Sequence, residues 1–272
     1  MRRGIWLLTG LLACSNNDLV EDGGPADFGA ADLGFGDASG SDQGLLDLGL
    51  DGGINVDAEP PVDSGPDDAG PEPVGLLSGA CGELDDTELL GAVPFDFENH
   101  LDFPMGYTMA DLMRLSAGAQ EILAEGTAGG SSGYSEAFSF EVLARCEGAT
   151  LIKSETEIVY DPVTSKKTDI LVQIDGHKIG VSVTRAVGFP RDDPYTVADA
   201  LPLIERKFGD ILESSANVVP ADRWVKQMLH VVAYSQAHAD TIRLTAAMID
   251  PAIRADTILL VTVTDGDDTF IY

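Results

Sequence analysis

Between Arg3 and Arg114 the chain carries no lysine or arginine, although 46 of its 272 residues are Asp or Glu. The imbalance is greatest over residues 15–78, which hold fifteen acids, no bases, and a background of Gly, Pro and Ala without a sustained helical or alternating period. Stretches such as EDGGPADFGAADLGFGDASGSDQG and EPPVDSGPDDAGPEPVG cannot bury enough apolar surface to offset chain entropy. Residues 14–78 are therefore expected to form a disordered acidic stalk. Like charges repel along it, and a flexible chain of this length reaches about 40 to 50 Å before that repulsion is added. The recurring Asp-x-Gly pieces bring together carboxylates and turns, as calcium loops do, but their spacing matches neither an EF-hand loop nor a nine-residue Gly-rich repeat. A solvated tether is the simpler reading.

The chain opens MRRGIWLLTGLLACSNND, with Arg2 and Arg3 ahead of an apolar run from Ile5 to Ala13. A short apolar run behind basic residues is the layout of a secretory signal, and it is too short to span a bilayer as a helix. Leu11-Leu12-Ala13-Cys14 resembles the lipobox of bacterial lipoproteins. That resemblance implies removal of residues 1–13, lipidation of the Cys14 thiol, and anchoring by more than one acyl chain, which a single chain would not make stable. Ser15 after the cysteine implies, within that family, export to the outer membrane, with the membrane as first partner. An ordinary signal peptide with a chance cysteine is the alternative. Cys81 and Cys146 remain, and in an oxidising compartment they either bridge or stay as two buried thiols.

From residue 79 to 272 aromatic, β-branched and basic side chains appear together, and the segment is long enough for one core. Thr108 to Asp111 has the pattern of a helix start, with Met109, Leu112, Met113, Leu115, Ile122 and Leu123 on one face. Gly126 to Gly133 breaks the chain, and a second helix is expected from Ser135 or Glu136 to Cys146, stopped by Gly148. The period then changes to strands at Glu155 to Tyr160, Thr168 to Ile174 and Lys178 to Arg185, the last two joined by the hairpin dipeptide Asp175-Gly176. A helix from Thr196 to Ser214, a strand over Trp224 to Tyr234, a helix over Gln236 to Ile249 and a strand over Thr257 to Thr264 follow, with a turn into a terminal strand at Thr269 to Tyr272. The reading is an α/β domain with a mixed sheet in the order αβββαβαβ, its core at about 135–264.

That order around a central hairpin resembles the PD-(D/E)xK nuclease superfamily, a restriction-endonuclease-like core. The resemblance is topological, and it implies an acid opening the second strand and an acidic-x-Lys triplet on the third, holding Mg²⁺ beside a lysine. Carboxylates suit a hard cation that polarises phosphate and activates water. Asp169 stands at the first position, with Glu136 or Glu141 as the further helix carboxylate. The third strand departs from the pattern, reading Ser182-Val183-Thr184 and then Arg185, and neither hydroxyl replaces a carboxylate's charge. Glu157 is placed to stand in for the missing acid and Lys178 or Lys207 for the cation. Candidate catalytic residues are thus Asp169, Glu157, Ser182, Thr184 and Arg185, and candidate metal ligands Asp169, Glu141 and Glu157. No cofactor other than Mg²⁺ is implied.

Composition weighs against nucleic acid as an unaided partner. Eleven of the fourteen bases in residues 79–272 fall between Arg145 and Lys226, but thirteen acids share that stretch, and the domain holds thirty-one acids in all. Ser182 has no nucleophile elbow around it, no glycine-rich phosphate loop joins a strand to a helix, and His230 and His238 lack metal-ligand spacing. His230 is expected to be a satisfied sheet histidine. Three functions follow: a binding domain on a nuclease-like scaffold, a metal-dependent nuclease, or a structural envelope protein.

Overall fold

In the computed structural model residues 72–126 and 132–272 are described, all within the unit Ser64–Tyr272. The signal, Cys14 and most of the expected stalk lie outside the described residues. The folded chain begins before the expected boundary at 79. Val74 is buried and Leu76–Gly79 already forms a strand, β1.

Two further elements precede the helices that sequence periodicity marks. Helix α1 covers Asp86–Leu90, and strand β2 covers Asp96–Phe103 with a strict alternation that buries Phe97, Asn99, Leu101 and Phe103. The helix expected from Thr108 is split, and Met109 and Met113, expected on its apolar face, are exposed. Asp111 reaches back to the Thr108 amide at 2.9 Å, but this closes only a 3-10 turn over Met109–Arg114, and α2 starts afresh at Ala117–Glu125 behind Ser116. Helix α3 spans Gly133–Glu147 and ends on Gly148, whose φ of 63° favours glycine.

The αβββαβαβ run is present from α3 onward. Strands β3 (Thr150–Ser154), β4 (Ile170–Ile174) and β5 (His177–Ala186) are followed by α4 (Val197–Asn217), β6 (Lys226–Ala233), α5 (Gln236–Ala246), the short α6 (Pro251–Arg254) and β7 (Ile258–Gly266). Asp175 and Gly176 both have positive φ, the requirement of the tight hairpin turn between β4 and β5. Two expected strands are not there. Residues 155–160 leave the sheet as a turn and loop, where Ile158 and Tyr160 pack on Trp224, Leu171 and Val218 instead of extending β3. The terminal strand at Thr269 is a 3-10 turn, Thr269–Ile271.

One seven-stranded mixed sheet has the order β1-β2-β7-β6-β5-β4-β3, with β2, β7, β6 and β5 parallel and the edges antiparallel. Its central strands are buried on both faces, which explains the nearly continuous apolar runs of β6 and β7. Helices α2 and α3 cover the face that carries Ile179, Val181, Val183 and Met228. Helices α4 and α5 cover the other, packing Ala200, Ile204, Phe208 and Ile242 on Leu229, Val231 and Val261. Phe103, Tyr107, Phe138 and Phe270 form an edge-to-face aromatic cluster that fastens the chain after β7 to α3. Cys81 and Cys146 are bridged, tying the segment after β1 to the end of α3. Among the described residues no helix is long and apolar enough to cross a membrane.

Candidate functional site

Strand β4 stops where β5 continues. Their pairing ends at Ile170↔Val181, while β5 runs on to Ala186, so the backbone of Val183 has passed the last ladder pair on that side. Two side chains take up its polar groups. The Val183 N–H donates to Asp169 Oδ2 at 2.6 Å, and Lys207 Nζ, from α4, donates to the Val183 carbonyl at 2.9 Å. An unpaired backbone group at a half-buried position costs free energy comparable to a lost hydrogen bond, so these contacts complete the sheet edge. Ser182 Oγ donates to the same Oδ2 at 2.9 Å. Asp169 is thus placed by the end of a strand pair, and its carboxylate is engaged by Ser182 and the Val183 amide.

Glu136 completes the group from the first turn of α3, where a helix N-terminus favours an anion. The local environment outweighs that preference. Glu136 is only 3% exposed, and burial raises its pKa to about 7, with the Asp169 charge adding to the rise; Ser132 hydrogen bonding opposes it, Glu155 adds a further push, and Lys207 pulls weakly the other way. Tyr160, whose hydroxyl accepts the Thr168 N–H at 2.9 Å, has its pKa raised by burial and also senses Asp169 and Glu155. Glu136, Glu155, Asp169 and Lys207 therefore form one electrostatic cluster at the end of β4.

The other sequence candidates go elsewhere. Glu141 is buried with its Oε2 accepting the Ser116 N–H at 2.8 Å, where it caps α2. Glu157 is exposed on the turn after β3, accepts the Ser154 N–H at 3.1 Å, and groups with Glu121 and Glu125. Glu155, which sequence periodicity put at the start of a strand, acts on Glu136 and Tyr160 as Asp169 does, where Glu157 was expected, because β3 ends at Ser154 and the chain turns there. Thr184 is half-buried on the α4 side of β5, while Arg185 points to the opposite side, its Nη1 donating to the Ile271 carbonyl at 2.9 Å. Lys178 is spent on the Ala221 carbonyl, and only Lys207 reaches the cluster.

The carboxylates are the right donors for a hard divalent cation, but they do not converge as one would require. Among the described residues, the trio whose oxygens come within 4.8 Å of one another is the exposed Glu121, Glu125 and Glu157. Asp169 and Glu155 are close enough to Glu136 to push its pKa up, but the three carboxylates are too dispersed for a single coordination sphere.

His230 lies in a buried polar chain away from this cluster. Its Nδ1 meets Ser139 Oγ at 2.6 Å and its Nε2 meets Thr262 Oγ1 at 2.7 Å, which in turn donates to Asn99 Oδ1 at 2.6 Å. Burial pushes its pKa down to about 3, so the ring is neutral and structural. His238 bonds Ser235 and stacks on Tyr195 rather than pairing with His230.

No family profile and no solved structure matches the chain. A curated protein of Dictyostelium discoideum, the AAC-rich mRNA clone AAC4 protein, is 40% identical over 153 residues, which cover 54% of this chain and 22% of that protein. The chain thus spans about a fifth of the length of the relative it matches, whose name states no activity.

Proposed function

We propose that the chain is a lipid-anchored protein of the bacterial cell envelope, held at the outer membrane through Cys14 and an acidic stalk, whose α/β domain binds a partner or ligand on a scaffold resembling PD-(D/E)xK nucleases. One observation carries the binding reading over catalysis. Asp169 Oδ2 is occupied by Ser182 Oγ and the Val183 amide, and Ser182 stands where the third-strand acid would be. The purified protein, incubated with DNA or RNA and Mg²⁺ or Mn²⁺, is expected to give no cleavage above an Asp169→Ala variant. Cleavage by the parent alone would replace this reading with the second one. The anchor rests on the sequence around Leu11 to Cys14. Cys14→Ser should move the protein from the membrane fraction to the soluble fraction, and a variant that stays membrane-bound would refute lipidation at that thiol.

A metal-dependent nuclease acting on extracellular nucleic acid is the second reading, favoured by the cluster of Glu136, Glu155 and Asp169 with Lys207 beside them. As they stand, these carboxylates are too dispersed to share one Mg²⁺, which counts against this reading. This chain's own part would be to hold the carboxylates at the end of β4 and the ammonium of Lys207 next to them. The domain's net acidity works against long-range attraction of nucleic acid, which places this reading second.

A further inference from the structure

Two cavities open at the carboxyl ends of the parallel strands, the region where open α/β sheets bind ligands, and Arg185 lines both. The first, of about 440 Å³, is walled by Met109, Leu123, Tyr134, Phe270 and Tyr272, and among the described residues Arg185 is the one charged residue in its lining. That volume is in the range that holds a small organic molecule. The second, of about 550 Å³, is more polar and includes Asp193 and Asp199, with the side chain of Phe189 fully exposed at its rim.

We propose that Arg185 anchors the carboxylate of a small amphipathic ligand whose aromatic or acyl body fills the cavity of Met109, Leu123, Tyr134, Phe270 and Tyr272. Arg114, Arg243 and Arg254 each pair with a carboxylate. Arg145, Arg185, Arg191, Arg206 and Arg223 have no carboxylate partner among the described residues, and of these Arg185 is the one that lines the apolar cavity. Its one hydrogen bond there, from Nη1 to the Ile271 carbonyl, fixes the guanidinium while leaving donors for a bidentate contact. The apolar wall supplies the other half of the recognition. Tyr134 packs edge-to-face on both Tyr107 and Phe270, Phe270 lies tilted against Tyr107, and Met109 adds an adaptable thioether. Asp193 and Asp199 repel an anion from the neighbouring cavity, so the head group stays at Arg185 and the body enters the uncharged side. This goes beyond the binding reading above and shares no residue with the cluster of Glu136, Glu155, Asp169 and Lys207, so the outcome of the nuclease assay leaves it standing.

Isothermal titration of the full chain with 2-naphthylacetate and its neutral counterpart 2-naphthylacetamide tests the proposal. The acid is expected to bind saturably at one site and the amide at least about tenfold more weakly, the difference expected for a charge-assisted bidentate contact. Arg185→Gln should reduce the acid to the level of the amide, while Arg223→Gln, an exposed charge before β6, should bind as the parent does. Where Arg185→Gln fails to fold, the acid and amide on the parent decide alone. Equal affinity for the two ligands, absence of saturable binding, or undiminished binding of the acid by a folded Arg185→Gln would each overturn the assignment.

Discussion

Glu136 keeps its proton to about pH 7 because it is buried beside other carboxylates, and this makes the cluster a cost to the fold at neutral pH. Its pKa in the folded chain lies above the ordinary 4.5, so the stability it contributes is full below about pH 4.5 and is lost as the pH rises toward 7. Glu136→Gln removes that loss. The variant should gain roughly 1 to 3 kcal/mol at pH 8, after allowance for solvent screening, and almost nothing at pH 4. Urea unfolding at the two pH values checks this, and a gain of equal size at both would assign the effect to packing. His230 has the opposite dependence. Its pKa falls from 6.5 to about 3 on burial, so the unfolded chain takes up the proton first, and stability declines as the pH drops through that interval. Asp169 and Glu136 were legible in the sequence because one opens a strand and the other a helix. Glu155 was not, since the alternation of Ile158 and Tyr160 imitates a strand but serves to pack on Trp224.

At the level of elements, β5 organises the domain. It outlasts β4 at one end, where Asp169 and Lys207 take over, and at the other it brings Gly180 against Trp224. A Cβ at Gly180 would lie 2.6 Å from two ring atoms of Trp224, whose indole N–H is fixed by Ser215 Oγ at 3.0 Å. Gly180→Ala should therefore destabilise by about 1 to 3 kcal/mol, the usual cost of overpacking. Gly209→Ala, in open space on α4, should gain about 0.5 to 1 kcal/mol. Thermal unfolding of the pair tests both signs together, and a neutral Gly180→Ala would mean that Trp224 moves aside. The hairpin of β4 and β5 was readable from Asp175-Gly176. Strand β2 went unread although Phe97, Leu101 and Phe103 alternate, because Asn99 interrupts the apolar series and is buried through its bond from Thr262.

Across the whole molecule, the first described segment is strapped to α3 at several points. Arg145 donates to the Val74 and Gly75 carbonyls, Glu147 accepts the Gly82 and Leu84 amides, and the Cys81–Cys146 bridge lies between them. The bridged cysteines are 65 residues apart. Closing a loop of that length stabilises by roughly 4 kcal/mol in the chain-entropy model, so the Cys81→Ser, Cys146→Ser double variant should lose about that much in denaturant unfolding. A loss near zero would mean that the ion-dipole contacts of Arg145 and Glu147 suffice.

Patterns that repeat over a few residues were determined by the sequence alone: the αβββαβαβ order, the turn at Asp175-Gly176, and the acidic stretch without a base between Arg3 and Arg114. Each depends on local periodicity, turn chemistry or composition, and survives whatever the rest of the chain does. Convergence was decided only by the tertiary structure. Which carboxylates join Asp169 depends on where β3 and β4 stop, and whether Arg185 finds a partner depends on Tyr134, Phe270 and Tyr272 arriving from elements far apart in the chain. Local patterning carries no information about such meetings, because they are set by how the faces of the sheet are covered.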